Sequence, residues 1–272
     1  MPANTPSEAL EKEARLREIL AGYGSVAVAY SGGVDSTYLA DVAAEVLGDR
    51  AMLVIADSPS IPRAELEAAL KMARDRGWRV DTIQTREFED ETYLRNDGMR
   101  CYACKNELFS LMRAHTAALG IVHIAHGELA DDRLDPTRVG ARAAREQGVD
   151  APLADAGMTK KDVRELSQLR RLPTWNKPSF ACLASRFPTG TRVDPEELLR
   201  VEQAEEYLRA LGFRQYRCRH HGDLCRIEID PADFPKIIEP ALRAALVQRL
   251  NALGYRHISL DLAGYRTGST AG

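Results

Sequence analysis

Three short stretches hold the residues with the most chemical content. Ser31-Gly32-Gly33-Val34-Asp35-Ser36 follows the apolar run 25–30 and precedes a helix-like stretch. Glycines let the backbone approach oxygen atoms closely, and free amides at a helix N-terminus attract phosphate. Ser31 and Ser36 add hydroxyl donors. Asp35 would repel bare phosphate, so it implies a magnesium ion bridging it to a nucleotide. The loop lacks the lysine of a Walker A motif and the G-x-G-x-x-G spacing of a dinucleotide fingerprint. The plain alternative is a generic glycine-rich turn, and the flanking strand and helix argue against it.

The second and third stretches carry cysteine. Cys101 and Cys104 lie in Arg100-Cys-Tyr-Ala-Cys-Lys105, and Cys182 lies in Lys177-Pro-Ser-Phe-Ala-Cys-Leu-Ala-Ser-Arg186. A C-x-x-C pair serves as a zinc half-site, a redox pair, part of an iron–sulfur site, or an incidental pair at a helix start. Arg100, Lys105 and Arg186 favour thiolates, which are the nucleophiles and the ligands. Three cysteines fit a [4Fe-4S] cluster with one iron left open for an extra sulfide or a substrate.

Cys218 and Cys225 read as packing residues. If Gly222-Asp223 closes a two-residue hairpin, Cys218 faces Ile227, Cys225 faces His220, and Tyr216, Cys218, Ile227 and Ile229 share an apolar face. The other face carries Arg217, Arg219, Arg226 and Glu228. Those arginines would hold a phosphate or carboxylate bidentately, or would form an ordinary solvated face.

The elements that must position these residues alternate. Helix 7–21 precedes strand 25–30, a helix closed by Gly48, strand 51–56, a helix from Arg63 to Gly77, and strand 79–85. Helix 105–119 and strand 121–127 follow, and Thr159 with Asp162 makes a capping box opening a helix to about Leu172. Strands alternating with helices specify an α/β fold, a doubly wound parallel sheet. After residue 187 the rhythm changes. Helix 195–211, two strands around Gly222-Asp223, helix 234–253 and a last strand, with Thr191–Val193 as a short first strand, make a smaller α+β split-βαβ domain. The expected domains are 1–187 and 188–272.

The chain has 272 residues, 44% hydrophobic and 28% charged, which suits one large domain or one of ordinary size with a smaller one. A net charge of −3 provides no strong global field to recruit nucleic acid. No stretch reads as a signal peptide or a membrane span, so a cytoplasmic location with reduced cysteines is expected.

The six loop residues resemble, without departure, the SGGxDS signature of the PP-loop ATP pyrophosphatases, whose fold is adenine nucleotide alpha hydrolase-like. That resemblance implies a loop holding the β,γ-pyrophosphate of ATP while an acceptor oxygen attacks the α-phosphorus. Asp57, after the second strand, lies where the adenosine sits, outside the carboxyl ends of the strands. Taken in order, SGGVDS, RCYACK, GELADDRLDPTRVGARAA, APLADAGMTKKDVREL and KPSFACLASRFPTGTR resemble one family within that superfamily. These are the ATP-dependent sacrificial sulfur transferases (LarE) that make the nickel-pincer nucleotide of lactate racemase. The likeness covers nearly the whole chain.

The resemblance implies adenylylation of a carboxylate of a pyridinium biscarboxylic acid mononucleotide, displacement of AMP by sulfur, and a thiocarboxylate product. It places Asp35 with magnesium, Glu128 near the nucleotide, and Ser185, Arg186, Arg217 and Arg219 at the phosphate of substrate or AMP. It also makes a homo-oligomer the expected assembly. In single-cysteine members the donor cysteine lies in the KPSFACLASR segment, and counting from Ser185-Arg186 its position falls on Ala181, with Cys182 beside it. A cluster-bearing subgroup is implied to use three cysteines, which Cys101, Cys104 and Cys182 suit. Sulfur carried on a [4Fe-4S] cluster is therefore favoured, with sacrifice of Cys182 as the rival. An ATP-dependent tRNA thiolase would share loop and cysteines but needs a basic RNA-binding face. Ammonia-dependent ligation leaves the cysteine segments without a role, and a nucleotide-sensing protein leaves Asp35 without one.

Overall fold

The computed structural model describes residues 6–134, 139–178 and 181–266. Residues 135–138 of the GELADDRLDPTRVGARAA segment, and Ser179 and Phe180 of KPSFACLASR, lie outside the described residues. In chain order the elements begin with α1 (Pro6–Tyr23), β1 (Val26–Ala29), α2 (Val34–Leu47), β2 (Ala51–Asp57), α3 (Arg63–Asp75) and β3 (Val80–Gln84). Next come α4 (Glu91–Leu94), α5 (Arg100–Ala117), β4 (His123–Ala125), α6 (Val139–Glu146), α7 (Pro152–Asp155) and α8 (Lys160–Leu169). The last are α9 (Pro195–Ala210), β5 (Tyr216–His221), β6 (Leu224–Ile229), α10 (Phe234–Ile237), α11 (Pro240–Ala252) and β7 (His257–Leu260).

These elements fold into two compact units. One comprises Met1–Ser58, Arg63–Glu87 and Cys101–Phe180; the other comprises Pro59–Pro62, Phe88–Arg100 and Ala181–Gly272. The first unit is the expected α/β layer. Its sheet runs β3-β2-β1-β4, and every pairing is parallel. β1 and β2 are continuous apolar runs because helices cover both of their faces. Ala27, Met52, Val54, Phe109, Met112 and Ile124 form the core on one side, while α1, α2 and α8 pack together elsewhere in the unit. Strand order reverses at β1, with β2 on one side and β4 on the other. In open α/β sheets ligands bind at such a switch point, outside the carboxyl ends of the strands.

The second unit holds a three-stranded sheet ordered β5-β6-β7. Its hairpin register is the expected one, with Cys218 opposite Ile227 and His220 opposite Cys225. Two features differ from the sequence reading. Thr191–Val193 is not a strand: Val193 is buried, and its amide donates to the Leu94 carbonyl at 2.9 Å. The long helix at 234–253 is two helices, because Pro240 has no amide to continue the first. Glu239 instead caps the second, accepting from the Leu242 amide at 2.9 Å.

The start of α8 carries a residue of the site described below. Thr159 and Asp162 form the expected capping box, and fully buried Asp162 also pairs with Lys12 of α1 at 2.9 Å. Asp162→Ala removes the reciprocal cap and strips Lys12 of that partner. We expect a loss of about 2 kcal/mol in urea unfolding, larger than a cap alone provides.

Candidate functional site

The loop after β1 is shaped by its backbone. Tyr30 still donates its amide to Val54 at 2.9 Å, as a strand residue does, and then the chain turns left-handed at Gly32, with φ of 67°. A Cβ on Gly32 would lie 2.6 Å from the Ala69 Cβ on α3, so only glycine fits there. Gly33 caps α2 without a side-chain hydrogen bond, and Thr37 makes the first helical bond back to Gly33 at 3.0 Å. The positive end of α2 therefore has no side-chain cap. Ser31 and Ser36 fold over this end: their hydroxyls lie 3.1 Å apart, and the Ser31 amide donates to Ser36 Oγ at 3.2 Å.

Two lysines that the sequence reading did not single out complete the loop. Lys160, the first residue of α8, donates to both oxygens of Asp35 at 2.8 and 2.7 Å. Its own amide donates to Asp131 of the GELADD segment at 3.2 Å. Lys177 donates to the Gly32 carbonyl at 3.0 Å and pairs with Glu65 at 2.5 Å. The capping box located the start of α8 in the sequence, but nothing local showed that the residue after Thr159 meets Asp35.

Glu128 reaches the neighbourhood through the residue before it. A Cβ on Gly127 would lie 3.1 Å from the Ser36 amide nitrogen, so the chain after β4 runs against the N-terminus of α2. Glu128 is buried beside His126 at 3.4 Å, with Arg145 4.0 Å away. The His126 imidazole beside it holds its carboxyl below the usual carboxylate range, against the opposing effect of burial. Asp57 sits at the end of β2, held by Arg63 and, at 2.7 Å, by Gln84. The Arg63 hydrogen bond holds its pKa below the ordinary value.

Cys101 and Cys104 occupy the first turn of α5, one turn apart, with Cys101 exposed and Cys104 half-buried. Gly140 of α6 lies against that turn: a Cβ there would be 3.3 Å from Lys105 Cγ and 3.9 Å from Cys101 Cβ. Cys182 belongs to the other unit, so the three cysteines are not a set within either. Among the described residues, neither unit gathers three or more His, Cys, Asp or Glu side chains suited to a metal ion.

Arg186 organises the Cys182 segment. It is fully buried, pairs with Glu205 through Nε and Nη2 at 2.8 and 2.9 Å, and donates Nη1 to the carbonyls of Ala181 (2.7 Å) and Cys182 (3.0 Å). Burial is the largest single influence and would lower its pKa, but the charge and hydrogen bonds of Glu205, with lesser neighbours, together make the net shift upward. Arg219 donates to the Ser185 carbonyl and pairs with Glu228, both at 2.9 Å. Arg217 turns to the Tyr216 carbonyl at 2.7 Å and stacks over the Tyr265 ring at 5.0 Å. Burial first, and Arg186 second, push its pKa down. The solvated-face reading of the hairpin thus fails for Arg217 and Arg219, which are 5% and 4% exposed. Cys218 and Cys225 are buried, as packing residues are.

Two variants test this geometry. Gly32→Ala meets both a left-handed backbone and Ala69, so we expect it to cost about 2 kcal/mol or more. Adding Ala69→Gly should recover the contact part and leave about 1–2 kcal/mol of backbone strain, read as the difference between two urea midpoints. Glu205→Ala leaves Arg186 buried without its carboxylate; a loss of about 3–5 kcal/mol, measured in the same way, is expected.

No family model matches the chain. An uncharacterized protein of Synechocystis sp. is 41% identical over 253 residues, 93% of this chain and 94% of its own. The pyridinium-3,5-bisthiocarboxylic acid mononucleotide synthase of Lactiplantibacillus plantarum is 33% identical over 258 residues, 94% of this chain and 92% of that enzyme. An uncharacterized protein of Methanocaldococcus jannaschii is 26% identical over 242 residues, 89% of this chain and 91% of its own. The family that the motifs resemble is the one the sequence comparison finds. The chain belongs to the family of pyridinium-3,5-bisthiocarboxylic acid mononucleotide synthase.

Proposed function

We propose that the chain is an ATP-dependent sulfur transferase acting on a carboxylate of a pyridinium biscarboxylic acid mononucleotide. The observation that carries this reading is the loop Ser31–Ser36, without a side-chain cap at the N-terminus of α2 and carrying Asp35, in a chain of this family. The uncapped helix end, Gly32, Gly33 and the hydroxyls of Ser31 and Ser36 suit a pyrophosphate. A substrate carboxylate oxygen attacks the α-phosphorus, the bond to the β-phosphate oxygen breaks, and pyrophosphate leaves. A sulfide-level sulfur then attacks the carboxyl carbon and the carbon–oxygen bond to AMP breaks; the bond joining that sulfur to its donor breaks in turn, which for Cys182 is Cβ–Sγ, cleaved with loss of the α-proton, and a thiocarboxylate remains.

Asp35 offers hard oxygen donors, and the ammonium on it marks a place that favours positive charge, so it fits magnesium. Magnesium would neutralise charge on the departing pyrophosphate. In the first unit Asp57 suits the adenosine and Glu128 the nucleotide's surroundings. In the second, Ser185, Arg217 and Arg219 suit a phosphate, and Arg186 positions the Cys182 backbone. Thiolate is the ligand type a [4Fe-4S] cluster takes, so Cys101, Cys104 and Cys182 are the proposed ligands of one that would supply a replaceable sulfide. The rival donor is Cys182 itself, losing its sulfur once per chain.

No helix among the described residues is long and apolar enough to cross a membrane. A cytoplasmic location and a homo-oligomeric assembly are part of the same proposal.

The test uses protein purified without oxygen. Iron and acid-labile sulfide are measured, and then magnesium, ATP and pyridinium-3,5-biscarboxylic acid mononucleotide are added. We expect pyrophosphate and AMP to appear with a product in which sulfur has replaced oxygen, and the iron to be lost in Cys101→Ala. An iron-free protein that completes one turnover and is left with dehydroalanine at 182 would replace the cluster with Cys182 as donor. Pyrophosphate release with tRNA and not with the mononucleotide would overturn the reading in favour of a thiolase.

A further inference from the structure

Asp35 is where a divalent cation rests in the proposed reaction, yet one ammonium holds both of its oxygens. Lys160 Nζ lies 2.8 Å from Oδ1 and 2.7 Å from Oδ2. The arrangement is built. The Thr159–Asp162 box fixes the first turn of α8, and Asp131 holds the Lys160 amide at 3.2 Å. Gly127 runs against the backbone of Asp35 and Ser36. Three motifs distant in sequence therefore meet around one ion pair.

An ammonium that donates to both carboxylate oxygens uses lone pairs that a cation would need. A free magnesium ion sheds water reluctantly and would gain a single carboxylate while displacing a positive charge. ATP changes that balance. Its phosphate oxygens contribute further ligands to the cation, and they also give the displaced ammonium an anionic partner, so no charge is stranded. The Lys160 side chain is 40% exposed, which leaves it room to move between the two partners.

We propose that Lys160 is a resident counter-ion of Asp35. It keeps free divalent cations off the loop and releases the carboxylate only when nucleotide phosphates are there to take the ammonium. In that second position Lys160 supports the charge on the leaving pyrophosphate. Metal and nucleotide then enter together. This inference rests on the ATP-dependent reading above.

The experiment titrates manganese alone into the full-length protein, following free Mn2+ by electron paramagnetic resonance. Lys160→Gln should tighten manganese binding about two- to fivefold, the size of a partly exposed ion pair. Lys160→Met should behave alike, and adding Asp35→Asn should abolish the gain. With ATP present the effect should reverse, each Lys160 variant binding the manganese–ATP pair more weakly than the parent and releasing pyrophosphate about a hundredfold more slowly. Unchanged or weaker manganese binding without nucleotide, or no binding by any of the proteins, would overturn the counter-ion role. The ATP-dependent reading fails by a different result: a parent protein that neither binds manganese–ATP nor releases pyrophosphate, whatever the manganese-only titrations give.

Discussion

Gly32 turns the chain left-handed with its α-carbon against Ala69, and Gly127 brings the segment after β4 against the amide of Ser36. Both contacts are backbone approaches that one methyl group would obstruct. The chemistry of the first unit depends on them, because they decide where the uncapped end of α2 faces. Gly33 contributes no capping oxygen, so the helix end keeps its partial positive charge available to a ligand. Lys177 ties down the Gly32 carbonyl, which a left-handed residue turns away from the strand ladder. A loop so constrained is preorganised, and preorganisation is what makes fixed dipoles effective on a charge that develops during reaction.

The second unit solves a different problem. It buries three arginines, Arg186, Arg217 and Arg219, alongside two carboxylates, Glu205 and Glu228. Breaking buried pairs is expensive, yet replacing them with apolar groups is often neutral, so their presence is weak evidence for stability and better evidence for position. Arg186 fits that description: it fixes the carbonyls on both sides of the Ala181–Cys182 peptide junction and is itself fixed by Glu205. Glu205 also accepts from the Cys218 amide at 3.0 Å, so α9, β5 and the cysteine segment share one charge centre.

Much of this was legible in the sequence because it depends on local rules. The apolar runs of β1 and β2, the Thr159–Asp162 box and the Gly222-Asp223 hairpin each follow from periodicity or turn chemistry, and each is present. Errors arose where a residue's partner is remote. Thr191–Val193 has a strand-like composition, but Leu94 takes the Val193 amide. The hairpin arginines left two readings open, an anion-holding face and a solvated one, because alternation along a strand says which side a residue faces and not whether that side is covered. Lys160 and Lys177 were ordinary lysines until α8 and the segment after it met the loop, 125 and 145 residues away in sequence. Pro240 could have been read correctly: proline within a helical pattern marks a new start, and the preceding glutamate is a cap.

The net charge of −3 is a poor guide to what each unit attracts locally. The argument it supplies against nucleic acid concerns long polyanions, which sense a field spread over a surface. A mononucleotide senses a few charges at short range, where burial reduces screening. In the second unit the three buried guanidinium groups outnumber the two buried carboxylates, and the pKa of Arg217 is pushed down as a result of burial and of Arg186. The loop of the first unit instead pairs Asp35 with Lys160, matched in charge, at a helix end that is itself positive. The two units thus distribute charge differently: among the described residues one buries more guanidinium groups than carboxylates, and the other pairs a lysine with a carboxylate at a helix end. A chain with more acidic than basic residues overall can therefore handle anionic substrates, provided its cations are fixed and its carboxylates each have a partner.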